Sequence, residues 1–470
     1  MTTLLEHHGA SAAPARRGPR ARSLVEPGVA VAAFALLCLV ALTKSAALLE
    51  PDDYAYRASI IALSHGEVLL SSAQYAALAA QLSHVASPGI MQWHHLASGY
   101  WVSEKNPGYP FFAVPFYLIG ELRLAPLFYG ALGCAGLYAG ARRWLGAWGG
   151  TFAVVLFCTS GAAMAFAWRS TMPTFTDASL IAAGAGGLLY ALLAEEVAPR
   201  WRTAAGVAAS AALVGAVFIR YTDVVVLLVA AAAVLCMARA ARLPRRAAAW
   251  WLAAMAVLGG AILAFNAVAY GSATSTGYAA GEISFSASAI PSNLVGMPVH
   301  LVRAMPMALL GLAAIAWIAL RALRGVLAEP GARLDRATSR DAWVGGWLAA
   351  AWGGLWLLYL AYPWTVAQSA SLAASIHVIR FYVPVIGVIA LLGAWLLQQL
   401  PRWGAAAVAL SLATLGVWSF EGLVGAGALG PGGGAGPGGA PGGVPGYPVP
   451  GPGSPPPGGS GGVLPSGFTR

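Results

Sequence analysis

Charge is scarce in this chain. Only 9% of its 470 residues are Asp, Glu, Lys or Arg, against about 25% in an ordinary soluble domain, and 59% are hydrophobic. One buried core could not absorb so much apolar surface, which excludes a soluble globular fold and makes a bilayer the solvent for most of it. Cysteine is scarce too. Cys38, Cys134, Cys158 and Cys236 all lie inside apolar runs, with no CxxC spacing and no loop pair to join, so they read as packing residues. There is no Walker motif, no GxGxxG between a strand and a helix and no HExxH, which leaves soluble nucleotide chemistry without support. Acid is scarcer than base, 17 residues against 27, for a net charge of +10. In a soluble chain that excess would raise nucleic-acid binding. Here the basic residues fall in short loops between apolar runs, so the excess reads as membrane topology and no nucleic acid is expected as a partner.

What is present is a series of apolar runs, at 28–49, 122–140, 149–165, 176–194, 203–218, 222–238, 247–270, 296–320, 342–362, 381–400 and 404–428. Each is close to the length that crosses a bilayer, so about 11 spans are expected in an all-α polytopic membrane protein. Residues 1–27 carry Arg16, Arg17, Arg20 and Arg22 and read as a disordered head held in the cytoplasm. The first run resembles a signal peptide in its Arg-rich flank, but its length favours an uncleaved anchor. If the spans alternate, the loops bearing Arg142 and Arg143, Arg200 and Arg202, Arg239 to Arg246, Arg321 to Arg340, and Arg402 all fall on the cytoplasmic side.

Lys44, Arg57, Lys105, Arg123, Arg169, Arg220, Arg303 and Arg380 then fall on or near the outer face, where the positive-inside rule does not account for them. Cations at a membrane boundary either snorkel to headgroups or converge on an anion such as a phosphate. Within the transmembrane domain, 28–429, the one long polar excursion is 50–106, the first extracytoplasmic loop. Tyr56, Ile60 and Leu63 at helical spacing, with Trp93, Tyr100 and Trp101, predict short amphipathic helices flat on the membrane. The loop at 271–293 is rich in Gly, Ser and Thr and suits a cover over a site. Residues 430–470 are almost pure Gly and Pro without a collagen period and predict a disordered tail.

The strongest local signal is Pro51-Asp52-Asp53-Tyr54-Ala55-Tyr56-Arg57, directly after the first span. An acceptor hydroxyl needs a base within hydrogen-bond reach. A carboxylate whose pKa is raised by a low-dielectric boundary and a like-charged neighbour can serve. The same residues also fit an ordinary helix start, with Asp52 as N-cap and Asp53 paired to Arg57. Next is Lys105-Asn106-Pro107-Gly108-Tyr109-Pro110, a point charge on a turn that breaks any helix. Arg169 with Asp177, Arg220-Tyr221-Thr222-Asp223, and His377-Val378-Ile379-Arg380-Phe381-Tyr382 flank three further outer loops. His84, His94 and His95 could bind a divalent metal, though without a metal-like spacing, so no obligatory metal or other cofactor is expected. Trp343, Trp347, Trp352 and Trp356 read as belt and packing residues.

The order of these features resembles the GT-C superfamily of membrane glycosyltransferases, in particular its protein mannosyltransferase and aminoarabinose transferase branch. A first span is followed by an acidic pair, here Asp52-Asp53 with Tyr56 a turn later. A loop then ends in a Lys-Pro-Pro-like turn, matched by Lys105 to Pro110. Leu122-Arg123-Leu124-Ala125-Pro126 and Arg142-Arg143-Trp144-Leu145-Gly146 bracket the next span, and Arg169 with Asp177, Arg220-Tyr221-Thr222 and Arg380-Phe381-Tyr382-Val383-Pro384 stand where similar proteins carry Arg, Arg-Tyr-Thr and Arg-Tyr-x-x-Pro. The likeness covers about residues 25 to 400, with Asp in place of Glu at 53 and Asn106 in place of the first proline. It implies a multi-pass enzyme moving a sugar from a polyprenyl-phosphate donor to an acceptor hydroxyl on a protein, lipid or polysaccharide, on the extracytoplasmic face and with inversion. Asp52 and Asp53 would be catalytic, and Tyr56, Lys105, Tyr109, Arg169, Asp177, Arg220, Tyr221, His377, Arg380 and Tyr382 would bind substrate. Some relatives carry a C-terminal soluble domain where this chain has the Gly/Pro tail. A transporter or lipid flippase, or a non-catalytic membrane scaffold, would also account for many spans with boundary charges.

Overall fold

A computed structural model describes residues 24–43, 51–82, 92–96, 98–240, 242–278, 283–328, 335–368 and 375–428. Residues 1–23 of the expected head, Lys44, His84 and the 430–470 tail lie outside the described residues.

In hydrocarbon a backbone must satisfy its own N–H and C=O groups, so the apolar runs become helices. The first, α1 (Val25–Thr43), begins three residues before the expected boundary. After it come α2 (Pro51–Ser64) and α3 (Ser72–Leu82), then α4 (Gly108–Leu118) and the long α5 (Leu124–Leu145). Next, α6 (Ala147–Cys158) and α7 (Gly161–Trp168) together have the length and apolar composition of one span, with a bend of 58° between them. The break falls at Thr159-Ser160, where the Ser160 hydroxyl accepts the Ala163 N–H and caps α7. Three long helices follow, α8 (Thr174–Leu193), α9 (Pro199–Ile219) and α10 (Val224–Arg239), and then α11 (Arg245–Tyr270).

The expected span at 296–320 is placed differently. Pro306 drives Met305 out of the helical region, to φ −139° and ψ 66°. The break separates α12 (Ile290–Ala304) from the spanning α13 (Ala308–Ala328). Asn293, Met297, His300, Leu301 and Ala304 of α12 are buried, while Leu294, Val295 and Val299 are exposed. This is the one-sided pattern of a helix lying against the bundle. The chain closes with α14 (Arg336–Leu360), the short α15 (Pro363–Gln368) and α16 (Ser375–Ile379), the buried α17 (Ile386–Leu397) and α18 (Arg402–Ala428).

Among the described residues nine helices are long and apolar enough to cross a membrane, and the bent α6–α7 pair makes ten. The remaining expected run is the shorter apolar stretch Val383–Leu397, enclosed by α6, α8, α13 and α14. The chain is therefore an all-α polytopic membrane protein, to which the first long loop adds a small sheet. Strands β1 (Leu69–Leu70), β2 (Trp93–His95) and β3 (Trp101–Ser103) pair antiparallel in the order β1-β3-β2, and Gly99 at φ +87° turns the β2–β3 hairpin. Helix α2 is not an amphipathic surface helix, since eight of its 14 residues are buried.

Lipid-facing and core-facing helices separate by side-chain size. Val257 and Val268 of α11 are 71% and 86% exposed, and Leu410 and Trp418 of α18 are also exposed, as expected for apolar groups bathed in acyl chains. Helices α5 and α8 instead touch through small residues. Gly130, Gly133, Gly136 and Gly140 recur along one face of α5, against Phe175, Ser179, Ala183 and Gly186 of α8. Cys134 and Cys158 meet at the α5–α6 contact with their sulfurs 3.3 Å apart.

The basic loops gather at one end of the bundle. Arg143 pairs with Glu196, Arg336 lies 3.5 Å from Glu195, and the indoles of Trp144 and Trp395 donate to Asp341 at 2.9 and 3.0 Å. Helix α8 runs from this end, near Glu195, to Asp177 at the other, about 30 Å away. A Cβ on Gly186 would run into the backbone of Gly136 and Leu137, whereas one on Gly259 would meet nothing. Gly186→Ala is therefore expected to destabilise by about 1–3 kcal/mol and Gly259→Ala to have little effect, measured as unfolding temperature in detergent.

Candidate functional site

The end of the bundle away from the basic loops carries the acidic pair at the start of α2. Consecutive helical residues project about 100° apart, and Asp52 and Asp53 reach different partners. Asp52 Oδ1 lies 3.0 Å from Lys105 Nζ, and its Oδ2 lies 2.6 Å from Arg380 Nη1. Asp53, fully buried, pairs with Arg169, itself 1% exposed, and accepts the Thr171 hydroxyl at 2.7 Å.

Each cation is delivered by an interruption of helical backbone. Lys105 precedes the Pro107 turn into α4, its N–H donating to the Ser103 hydroxyl at 3.1 Å. Arg169 ends α7 at the turn before Pro173. Arg220 sits in extended backbone, φ −145° and ψ 105°, between α9 and α10, and Arg380 lies in the turn between α16 and α17. Arg220 Nη1 donates to the Arg380 carbonyl at 2.9 Å, and its Nε lies 3.4 Å from Asp177 Oδ2. The Arg380 guanidinium is 4.9 Å from the ring centroids of both Trp364 and Phe381. Tyr278, from the Gly/Ser-rich loop expected to cover a site, places its ring 5.3 Å from Lys105 Nζ. A side chain on the neighbouring Gly277 would strike the Ser103 carbonyl.

This environment reverses the expected titration of Asp52. Burial alone would raise its pKa, but Arg380 and Lys105 outweigh burial, and the carboxyl is held well below its usual range. Burial pulls the Lys105 pKa down, but Asp52 and Tyr56 together outweigh it and the net shift is upward.

The structure thus brings Asp52, Lys105, Arg380 and Arg220 together, with Asp177 behind Arg220. Tyr56 faces Lys105 in the same cluster, and the other expected site residues make contacts of their own. Asp53 and Arg169 pair out of solvent, so Asp53 is not a second exposed carboxylate. Tyr109 is buried and donates to the Ser170 carbonyl, bracing the turn that holds Arg169. Tyr56 packs edge-on against Tyr109 at 5.8 Å. The Tyr221 hydroxyl donates to Asn266 Oδ1 of α11 at 2.9 Å. Tyr382 is fully buried beside Trp356, whose indole donates to the Tyr382 carbonyl at 3.0 Å. His377 stands half-buried on α16 and is not a partner of Asp52 or Lys105.

Thr171, Tyr278, Trp364 and Asp223 were not expected site residues. Asp223 is buried in the 3-10 turn that follows Arg220. Tyr278 had a signal in the composition of its loop, and Asp223 in its place in Arg220-Tyr221-Thr222-Asp223. Among the described residues no group of three or more His, Cys, Asp or Glu side chains converges to hold a metal. His95 packs edge-on against Trp101.

Removing one member of the buried Asp53–Arg169 pair leaves the other charge uncompensated. Arg169→Met should therefore cost about 3–5 kcal/mol, and Asp53→Leu combined with Arg169→Met should recover much of it, as read by thermal unfolding in detergent. A carboxyl held low by cations stabilises fully above its unfolded pKa, about 4, and loses that contribution as pH falls toward its folded value. The unfolding temperature should drop on acidification below about pH 4, and less steeply in Asp52→Asn.

No protein-family model and no curated protein matches the sequence. Several solved structures share the architecture. The apo Archaeoglobus fulgidus oligosaccharyltransferase aligns with a TM-score of 0.50 at 11% identity, over 87% of this chain and 56% of that one. ArnT from Cupriavidus metallidurans bound to undecaprenyl phosphate aligns with a TM-score of 0.50 at 15% identity, over 83% of this chain and 62% of that one. The chain thus spans about three-fifths of the length of either. At these identities the likeness is one of fold, an architecture this chain shares with the oligosaccharyltransferase and with ArnT.

Proposed function

We propose that the protein is a membrane glycosyltransferase that moves a sugar from a polyprenyl-phosphate donor to an acceptor hydroxyl. The observation that carries this reading is the seating of Asp52 between Lys105 and Arg380, at the end of the bundle remote from the basic loops. Two cations close enough to share one carboxylate are close enough to share one phosphate, and a lone carboxylate between them is suitably placed to take a proton. Structural similarity to an enzyme solved with undecaprenyl phosphate fits the same reading.

In the reaction the acceptor oxygen forms a bond to the anomeric carbon while its proton passes to Asp52. The bond from that carbon to the phosphate oxygen breaks, and its electron pair stays on the phosphate. Lys105 and Arg380 stabilise the charge that develops there, with Arg220 holding the Arg380 backbone from behind. Attack opposite the leaving phosphate inverts the anomeric centre. The sequence resemblance and the charge distribution suggest that the loops carrying Arg143, Arg200, Arg246 and Arg336 are cytoplasmic, which puts the site on the extracytoplasmic face. Hydroxyls of a protein, a lipid and a polysaccharide all suit this chemistry; the seat of the phosphate is common to the three.

The test is sugar transfer by purified protein in nanodiscs from radiolabelled undecaprenyl-phosphate sugars. Asp52→Asn should lower the rate by about 10²–10⁴ with the protein still folded. Lys105→Met should weaken donor use. Transfer at the wild-type rate by Asp52→Asn would remove Asp52 from the reaction, and a transporter or scaffold would show no transfer at all.

A further inference from the structure

We infer that Asp52 occupies the seat of the donor phosphate in the empty protein, and that an arriving phosphate takes Lys105 and Arg380 from it and thereby makes Asp52 a base. This rests on the donor assignment proposed above and adds a coupling between donor binding and proton abstraction.

The geometry requires some exchange of this kind. In the empty site both Asp52 oxygens are committed, one to Lys105 at 3.0 Å and one to Arg380 at 2.6 Å, and the three side chains are only 14%, 8% and 11% exposed. A carboxylate bound in this way is a weak base and a poor acceptor for a substrate hydroxyl. The two cations are also the groups best placed to hold a phosphate, and the charge they turn to it is charge withdrawn from Asp52. The donor phosphodiester presents two anionic oxygens, as the carboxylate does, and can take the same seat with the rest of it unchanged. Arg380 stays beside Trp364 and Phe381, and Lys105 stays beside Tyr278.

The other charged and titratable groups near Asp52 do not replace the lost partners. Arg169 acts on it at longer range but is spent on Asp53, and Tyr56 faces Lys105. Once Lys105 and Arg380 turn to the phosphate, Asp52 is left beside a new negative charge, which favours its protonated form. It can then accept the proton of the acceptor hydroxyl.

The cycle closes with atoms and charges balanced. The acceptor proton sits on Asp52 as the anomeric carbon–oxygen bond to phosphate breaks, and it then passes to the polyprenyl phosphate, which leaves as the monoester. Asp52, ionised again, recaptures Lys105 and Arg380 and displaces the product. Without a donor the base stays quenched, so the site does not deprotonate a hydroxyl when there is no sugar to receive it.

Binding of fluorescent undecaprenyl phosphate in nanodiscs tests the exchange, because Asp52→Asn removes the competing anion. The variant should bind the lipid phosphate about tenfold more tightly than wild type, the worth of one charge-assisted hydrogen bond. Equal or weaker binding by folded Asp52→Asn overturns the exchange while the donor assignment stands. Absence of binding to both proteins overturns the donor assignment and the exchange with it. Wild-type protein gives a second readout that needs no variant. The acidic limb of the kcat profile, which reports the donor-bound complex, should lie at higher pH than the acidic limb of kcat/KM for donor, which reports the empty protein. Coincident limbs overturn the exchange.

Discussion

Charge compensation at the membrane boundary governs the site end of this molecule. An ion taken out of water needs a partner held in good geometry, and here two consecutive carboxylates on the first turn of α2 supply partners to three cations. Their projection about 100° apart sends Asp53 inward to Arg169 and Thr171 and sends Asp52 to Lys105 and Arg380. The first pair is sealed and fixes where α2 stands against the α7–α8 turn. The second keeps a little solvent access, and under the proposed function it is where the chemistry occurs. On that reading structure and reactivity are divided between neighbours that a sequence presents as equivalent.

The cations arrive from places where helices stop. Lys105, Arg169, Arg220 and Arg380 each sit in a turn or extended residue between helical segments. Non-helical backbone in a membrane protein is tolerated where it is buried in protein or lines a cavity. Such interruptions are also the only positions from which a side chain can point along the bundle axis and not into a neighbouring helix or lipid. The bend between α6 and α7 and the short buried α17 belong to the same design, since one ends at Arg169 and the other begins just after Arg380 and Tyr382.

Much of this was legible in the sequence, for physical reasons that can be named. Long apolar runs have one solution in lipid, so the helices could be read off, and scarce charges in an apolar chain are informative because each one is costly. Asp52, Lys105, Arg220 and Arg380 were found in that way. The partner of Asp53 was not, because Arg57 at helical spacing and Arg169 far along the chain are equally good cations until tertiary structure chooses between them. Arg57 instead stacks on Tyr117 at 4.8 Å. Tyr109, Tyr221 and Tyr382, expected to meet substrate, make contacts within the protein here, since an aromatic with a hydroxyl suits a buried hydrogen bond as well as a ligand. The sheet of the first loop was missed because its strands are only two or three residues long, too short for alternation to show. The break at Pro306 was hidden by apolar residues on both sides of it.

The most direct test of the central claim is a cryo-electron microscopy structure of the protein in nanodiscs with undecaprenyl phosphate bound. The phosphate is predicted to lie between Lys105 and Arg380, with both cations turned to it and the Asp52 carboxylate released beside it. A phosphate bound elsewhere, with the Asp52 pairs to Lys105 and Arg380 intact, would contradict the account.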